Sequence, residues 1–186
     1  FELESRGAYL FITFWRKVMN RPDLWEVAFD PAAPINTPRT LSKSKAVSEA
    51  LTKALAEAAG ELAEQGVALD APWSAVMTQR LVDGTTIPVH GGPGWAGVLN
   101  MQQGDKAEGG LKPRHGSSYI QIVSFGEEGP QADAILSYSQ SSDPNSEHFS
   151  DQTRLYSAKE WHRLPFTKEE IADQQVGKTI KLRERR

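Results

Sequence analysis

A chain without cysteine has no disulfide, no thiolate zinc site and no cysteine nucleophile. Any chemistry must rest on its serines, its carboxylates and its four histidines. The densest gathering of these is Ser139-Gln140-Ser141-Ser142-Asp143-Pro144-Asn145-Ser146-Glu147-His148-Phe149-Ser150-Asp151-Gln152. It holds serine, histidine and aspartate, the ingredients of a nucleophile triad, in which the histidine stands between the other two. A triad draws its members from separately held elements, whereas residues this close along one loop more readily satisfy their own backbone. Asp143 before Pro144, with Asn145 or Ser146 after it, are turn and helix-cap residues. The loop is therefore expected to be structural, holding a strand end against the following helix. Asp143, Glu147, His148 and Asp151 also offer metal ligands, but their spacing matches neither an EF-hand loop nor His-Glu-x-x-His.

A second candidate is His90-Gly91-Gly92-Pro93-Gly94. Glycines in such a run let backbone N–H groups approach a developing oxyanion, as in some α/β-hydrolases. That use requires a Gly-x-Ser-x-Gly elbow later in the chain, and none exists. A glycine turn between two short strands is the simpler reading. His115 in a polar stretch and His162 after Trp161 read as exposed or capping histidines. Trp15, Trp25, Trp73, Trp95 and Trp161 read as core or interface anchors. The run from Lys181 to Arg186 reads as a solvated end.

The elements that would position these residues follow from periodicity. Leu3, Gly7, Leu10, Phe11, Phe14, Trp15 and Val18 recur every three or four residues, predicting an amphipathic helix whose Gly7 meets another backbone closely. Asn20-Arg21-Pro22 ends it. Pro31, Pro34 and Pro38 mark residues 30–40 as an extended surface linker. A second helix is expected from Lys45 to Gln65 on a stripe of Val47, Leu51, Leu55 and Leu62, with a break allowed at Gly60 and a stop at Gly66. Short extended runs follow at 75–82, 87–90 and 95–101, then a polar, mobile loop at 104–116. The best strands are Ser118 to Phe125 and Ala132 to Ser139, joined by a longer hairpin turn at Gly126-Glu127-Glu128-Gly129-Pro130. Both are apolar on each face, as strands covered on both sides are. Thr167-Lys168-Glu169-Glu170 is a capping box, and Lys178 to Leu182 a closing strand. Helices first and strands after make the fold class α+β, with 1–69 helical and 70–186 mostly strands and loops.

Composition bounds the partners. The 186 residues carry 21 basic and 24 acidic side chains, net -3, which supplies no basic footprint for nucleic acid. Mean hydropathy is -0.49 and no apolar run approaches the roughly 18 residues of a membrane-spanning helix. Five Trp, seven Phe and four Tyr are enough to build a core, which excludes disorder throughout.

One resemblance goes further. Ser117-Ser118-Tyr119-Ile120-Gln121-Ile122-Val123-Ser124-Phe125-Gly126, Gly129-Pro130, Ala134 through Pro144, His148-Phe149-Ser150-Asp151-Gln152 and Trp161 resemble the C-terminal end of the large subunit in the penicillin acylase family. Ile87-Pro88-Val89-His90-Gly91-Gly92 and Gly97-Val98-Leu99-Asn100 fit the same place, and Gly7 to Trp15 is similar to a helix upstream. The block Ser141-Ser142-Asp143-Pro144 with Asp151-Gln152 is most similar to the acyl-homoserine lactone and aculeacin acylase branch.

The resemblance implies an N-terminal-nucleophile hydrolase of stacked α, β, β and α layers, this chain being residues 1–186 of a single fragment whose strands complete a sheet shared with another chain. Such enzymes cut their own precursor and expose a serine whose α-amine serves as base. The family's serine, asparagine and calcium ligands belong to segments upstream, so no catalytic, substrate-binding or metal residue is assigned here. No cofactor is expected on this chain, and a structural calcium ion is expected on upstream segments. The implied partners are the small subunit, the N-terminal part of the large subunit and a small N-acyl substrate, either an acyl-homoserine lactone or a β-lactam such as a penicillin. The implied location is the bacterial periplasm. The start at Phe1, inside a helical pattern, would follow from a second cut in a precursor or from trimming. The alternative is a self-standing β-rich module that binds carbohydrate or peptide through its tryptophans.

Overall fold

Gly7 turns the chain into its first helix through a left-handed conformation (φ 69°). The computed structural model describes residues 1–178 and residue 180. Helix α1 runs Ala8–Val18 and buries Ala8, Tyr9, Ile12, Thr13 and Val18. The expected stripe is thus rotated. Phe11 is half exposed, and Phe11, Phe14 and Trp15 form an outward aromatic cluster that Trp25 joins edge-on at 6.2 Å. Gly7 does not serve close approach either, since a Cβ there would lie 3.8 Å from its nearest neighbour. It is needed for its backbone angle.

Trp25–Val27 (β1) pairs antiparallel with Arg39–Leu41 (β2). Between them the Thr37 hydroxyl accepts the Asp30 N–H and donates to the Ala33 carbonyl. Helix α2, Lys45–Glu64, starts under a Ser44 side-chain cap and buries Val47, Ala54, Ala58 and Leu62. Alanine at two of those places lets α1 lie close against it, while Leu55 points outward. The helix passes through Gly60 unbroken, and Gly66 takes the expected left-handed stop (φ 69°).

The segment before α1 is a strap. Ser74 N–H donates to Leu3 O, Trp73 N–H to Ser5 O and Gly91 N–H to Phe1 O. Trp73 opens a one-turn helix α3, Trp73–Val76, is fully buried, and meets the Phe1 ring edge-on at 5.0 Å. Thr78–Arg80 (β3) then pairs antiparallel with Thr86–Pro88 (β4). The run expected at 95–101 is instead a 3₁₀ turn at Gly94–Ala96 followed by loop. The polar loop expected at 104–116 is a hairpin, Gln102–Ala107 (β5) against Gly110–Gly116 (β6), turning at Glu108-Gly109. Its polarity hid it. Backbone pairing holds it together, along with Gly110, whose φ of 148° and whose closeness to Val76 O exclude any side chain.

The chain divides into two compact units, Phe1–Ser117 and the remainder from Ser118. In the second, Tyr119–Gly126 (β7), Gly129–Leu136 (β8) and His162–Leu164 (β9) form an antiparallel sheet in the order β7-β8-β9. The β7–β8 turn is the two residues Glu127-Glu128, tighter than expected, because Gly126 and Gly129 pair across it. Asp151–Ala158 (α4) packs on β8, and Lys168–Asp173 (α5) begins at the expected capping box. The closing strand expected at Lys178–Leu182 and the Lys181–Arg186 tail run into residues outside the described set.

Gly60 is an exposed helix-interior glycine with open space around its missing Cβ. Gly60→Ala is expected to stabilise the protein by roughly 0.5–1 kcal/mol. A rise in denaturation midpoint at unchanged slope would show it, and an unchanged or lowered midpoint would contradict it.

Candidate functional site

The second unit builds its polar centre around the open side of β8. Ser137 N–H donates to Ser118 O at 3.1 Å. Alternation from that bond places odd-numbered β8 residues in hydrogen-bonded pairs with β7, and turns the amides of Ala132, Ala134 and Leu136 toward β9. Strand β9 reaches only as far as Ala134. Beyond it, the buried Gln152 side chain accepts the Leu136 N–H at 2.9 Å, standing in for the missing strand.

The loop 139–152 brings that glutamine into place. Ser139 sits in a left-handed conformation (φ 60°) and accepts the Thr153 N–H at 3.0 Å, meeting one of the free donors in the first turn of α4. Asp151 caps the neighbouring Gln152 N–H at 2.7 Å. Ser141 Oγ and Asp143 Oδ1 accept the Asp143 and Asn145 N–H groups, Ser146 caps a 3₁₀ turn at Glu147–Phe149, and Gln140 and Ser141 N–H groups both donate to His148 O. Ser139, Ser141, Ser146, Asp143 and Asp151 each accept a backbone N–H.

His148 Nδ1 lies 2.9 Å from Asp151 Oδ2, and its Nε2 lies 3.6 Å from Glu147. Both nitrogens therefore face carboxylates, and the ring does not stand between a serine and an aspartate as a triad requires. The Ser139 hydroxyl meets the Thr153 hydroxyl at 3.1 Å and accepts the Thr153 N–H. The hydrogen bond that His148 donates to Asp151 raises the His148 pKa above its ordinary 6.5. Partial burial pushes the Asp151 carboxyl up, but the bonds from His148, the Gln152 N–H and Ser139 outweigh it and hold the group below its ordinary 3.8. His148, Asp151 and His162 line one open cavity of about 740 Å³. Among the described residues no group of three or more histidine or carboxylate side chains is placed to hold a metal ion.

In the first unit, the His90–Gly94 run spends its donors internally. Gly91 N–H donates to Phe1 O at 2.9 Å and Gly92 N–H to Asn100 O at 3.2 Å, so neither is presented to a substrate oxygen. A Cβ on Gly91 would lie 2.6 Å from Asn100 O, which is why glycine is required. His115 lies on β6 opposite Gln103, exposed. The larger feature is an open groove of about 670 Å³ between α1, α2 and the β5–β6 hairpin. Lys17 and Lys106 both reach Glu61 there at 2.5 Å, and the hydrogen bonds from Lys106 and then Lys17 hold the Glu61 carboxyl below its ordinary range. Tyr9 donates to Gln65 at 2.7 Å, and Arg16 lies 5.7 Å over the Trp95 ring. No local pattern announces this groove, because its residues come from four separate segments.

Comparison with known proteins supplies the context. The sequence model of the penicillin amidase family matches residues 1–173. The acyl-homoserine lactone acylase PvdQ of Pseudomonas savastanoi pv. phaseolicola is 41% identical over 149 residues, 79% of this chain and 19% of the relative. The aculeacin-A acylase of Actinoplanes utahensis is 33% identical over 180 residues, 92% of this chain and 21% of the relative. The chain thus spans about a fifth of the length of these curated relatives. A thermostable penicillin G acylase from Alcaligenes faecalis superposes on 96% of the chain and 38% of its own, at 17% identity and a TM-score of 0.40.

Gln152→Ala would leave the Leu136 N–H without its acceptor, and is expected to cost about 1–3 kcal/mol by chemical denaturation. A loss within ~0.5 kcal/mol, ordinary for a surface change, would refute the strand-substitute role. The histidine pair carries a pH signature. A raised His148 pKa adds stability that is full below 6.5 and fades as pH rises through the raised value. A lowered Asp151 pKa adds stability that is full above 3.8 and fades as pH falls through the lowered value. The melting-temperature gap between the native protein and His148→Ala should therefore be widest between pH 3.8 and 6.5 and shrink on either side. A gap that grows toward alkaline pH would contradict the pairing.

Proposed function

This chain belongs to the penicillin amidase family, and from that membership we propose that it is the C-terminal part of the large subunit of an N-acyl amide hydrolase. The observation that carries the reading is the match over residues 1–173, together with relatives named as acylases at 33–41% identity over most of the chain. Because those relatives are about five times longer, the chain is read as one segment of a larger processed enzyme of αββα architecture.

The surfaces of the segment support that reading. Alternation from the Ser118–Ser137 bond turns the amides of Tyr119, Gln121, Val123 and Phe125 away from β8, toward an edge without a strand among the described residues. Tyr119, Val123 and Phe125 on one face and Ile122 on the other are exposed. A strand from a companion chain would pair this edge and cover both faces.

The catalytic serine is assigned to a companion chain. There its own α-amine takes the hydroxyl proton as the oxygen attacks the acyl carbonyl, the amine leaves with a proton, and water releases the acid. Calcium, where the enzyme holds it, is assigned to those companion segments, and no organic cofactor is needed. The substrates proposed first are long-chain N-acyl-homoserine lactones, and second β-lactams such as penicillins. The proposed location is the bacterial periplasm. A self-standing binding module finds little support in the tryptophans: Trp73 is buried core, Trp15 and Trp25 pack together, and Trp95 underlies Arg16.

The test is the complete enzyme with a long-chain acyl-homoserine lactone, which should release free homoserine lactone and the fatty acid. Opening of the lactone ring with the amide intact, or no release from any N-acyl substrate, would sink the acylase reading. In the same enzyme, His148→Ala, Asp151→Ala or Ser142→Ala should lower yield or melting temperature with turnover per folded molecule nearly unchanged. A fall of more than ~100-fold in turnover without loss of folding, the scale of general acid–base catalysis, would place chemistry on this loop.

A further inference from the structure

We infer that the groove between α1 and the β5–β6 hairpin is the docking site for an acidic segment of the same precursor lying outside these 186 residues, with Arg16 as its anchor. The inference rests on the reading that the chain is one segment of a longer enzyme.

The argument begins with charge. Around the groove, Lys17 and Lys106 share Glu61, Lys17 also lies 3.6 Å from Glu57, and Lys53 reaches that same Glu57 at 3.9 Å. Asp105 is paired with Arg114 at 3.4 Å. Each carboxylate at the rim thus already has a cation. Of the residues lining the groove, three cations, Arg16, Lys17 and Lys106, face two carboxylates, Glu61 and Asp105, and Arg16 is the one whose guanidinium meets no carboxylate among the described residues. A groove with such an excess favours an anion.

Geometry selects which anion. The Arg16 guanidinium carbon lies 5.7 Å from the centroid of the Trp95 ring, within cation–π range, and that contact uses none of the N–H donors with which an arginine takes a carboxylate bidentately. Beneath it the groove is floored by Ile12, Thr13, Trp95 and Leu111, so that apolar side chains flanking an acid would find cover. Its volume of about 670 Å³ suits a few side chains, not one small ion. The relatives' length supplies the occupant. Roughly four-fifths of each lies beyond the aligned region, and a segment tethered in the same precursor meets the groove at high effective concentration.

The experiment uses the full-length protein with Gln103, which lines the groove outside its ion pairs, replaced by the photoreactive residue benzoylphenylalanine. After illumination, digestion and mass spectrometry, the expected product is an intramolecular cross-link to a peptide outside residues 1–186 that contains Asp or Glu. The cross-link should be lost in Arg16→Glu and Arg16→Gln and kept in Arg16→Lys, with circular dichroism confirming that each variant is folded. No cross-link, a cross-link to a second copy or another protein, a target peptide without an acid, or a cross-link that survives in folded Arg16→Glu would each overturn the proposal. Acyl-substrate hydrolysis is followed on the same samples. Hydrolysis without the cross-link defeats the docking site alone, whereas the cross-link without hydrolysis upholds docking and defeats the proposed activity.

Discussion

The edge of a β-strand is a row of backbone donors and acceptors that must find partners wherever water is excluded, and β7 presents such a row over eight residues. It is also apolar on both faces, with Phe125 86% exposed in a position where a solvent-facing strand would carry polar side chains. Soluble proteins blunt exposed edges with charge, proline or bulges. Here Gly126-Glu127-Glu128-Gly129 closes the hairpin with two acids at its tip, and the edge itself carries none. Covering this strand is the constraint around which the rest of the second unit is organised. Its opposite side is already closed, first by β9 and then by the Gln152 side chain, so growth of the sheet is left to one direction.

The same logic explains the hydrogen bonds of the polar loop 139–152. A short strand such as β9 leaves the last β8 amide without an acceptor, and a buried amide in that state is costly. The loop supplies a glutamine for it, a serine for the first turn of α4, and an imidazole–carboxylate pair that fixes the start of that helix. Ser, His and Asp occur together because turns, caps and ion pairs use the same residue types as hydrolytic sites. The order of their contacts distinguishes the two uses, and here both nitrogens of His148 face carboxylates.

What could be read from the sequence divides along physical lines. Local signals held: the capping box at Thr167, the stop at Gly66, the β7 strand and the long helix through Lys45–Glu64, while the strand expected at Ala132–Ser139 lies three residues earlier, at Gly129–Leu136, because Ser139 turns left-handed out of the sheet. The family could be read as well, since the residues around Ser117–Pro144 and His148–Gln152 are distinctive. Failures came where tertiary context outweighs periodicity. The aromatic stripe of α1 resembled a core face, but the helix buries its alanine–tyrosine–isoleucine side against α2 and leaves Phe11 outward. The β5–β6 hairpin has too few apolar residues to show a period of two, and glycine closeness and backbone pairing hold it. The Arg16–Trp95 groove and the Gln152–Leu136 bond join residues far apart in the chain, which a single sequence does not connect.

If the rest of a larger enzyme completes this chain, as proposed, the β7 edge that no strand pairs among the described residues is where that completion can be read. Amide hydrogen exchange in the full-length, assembled protein reads the outward N–H groups of Tyr119, Gln121, Val123 and Phe125 individually. The account predicts that they exchange as slowly as the paired amides of β8, because a strand from outside these residues accepts them. Exchange of those four amides at the rate of unpaired chain, alongside slow exchange in β8, would contradict it.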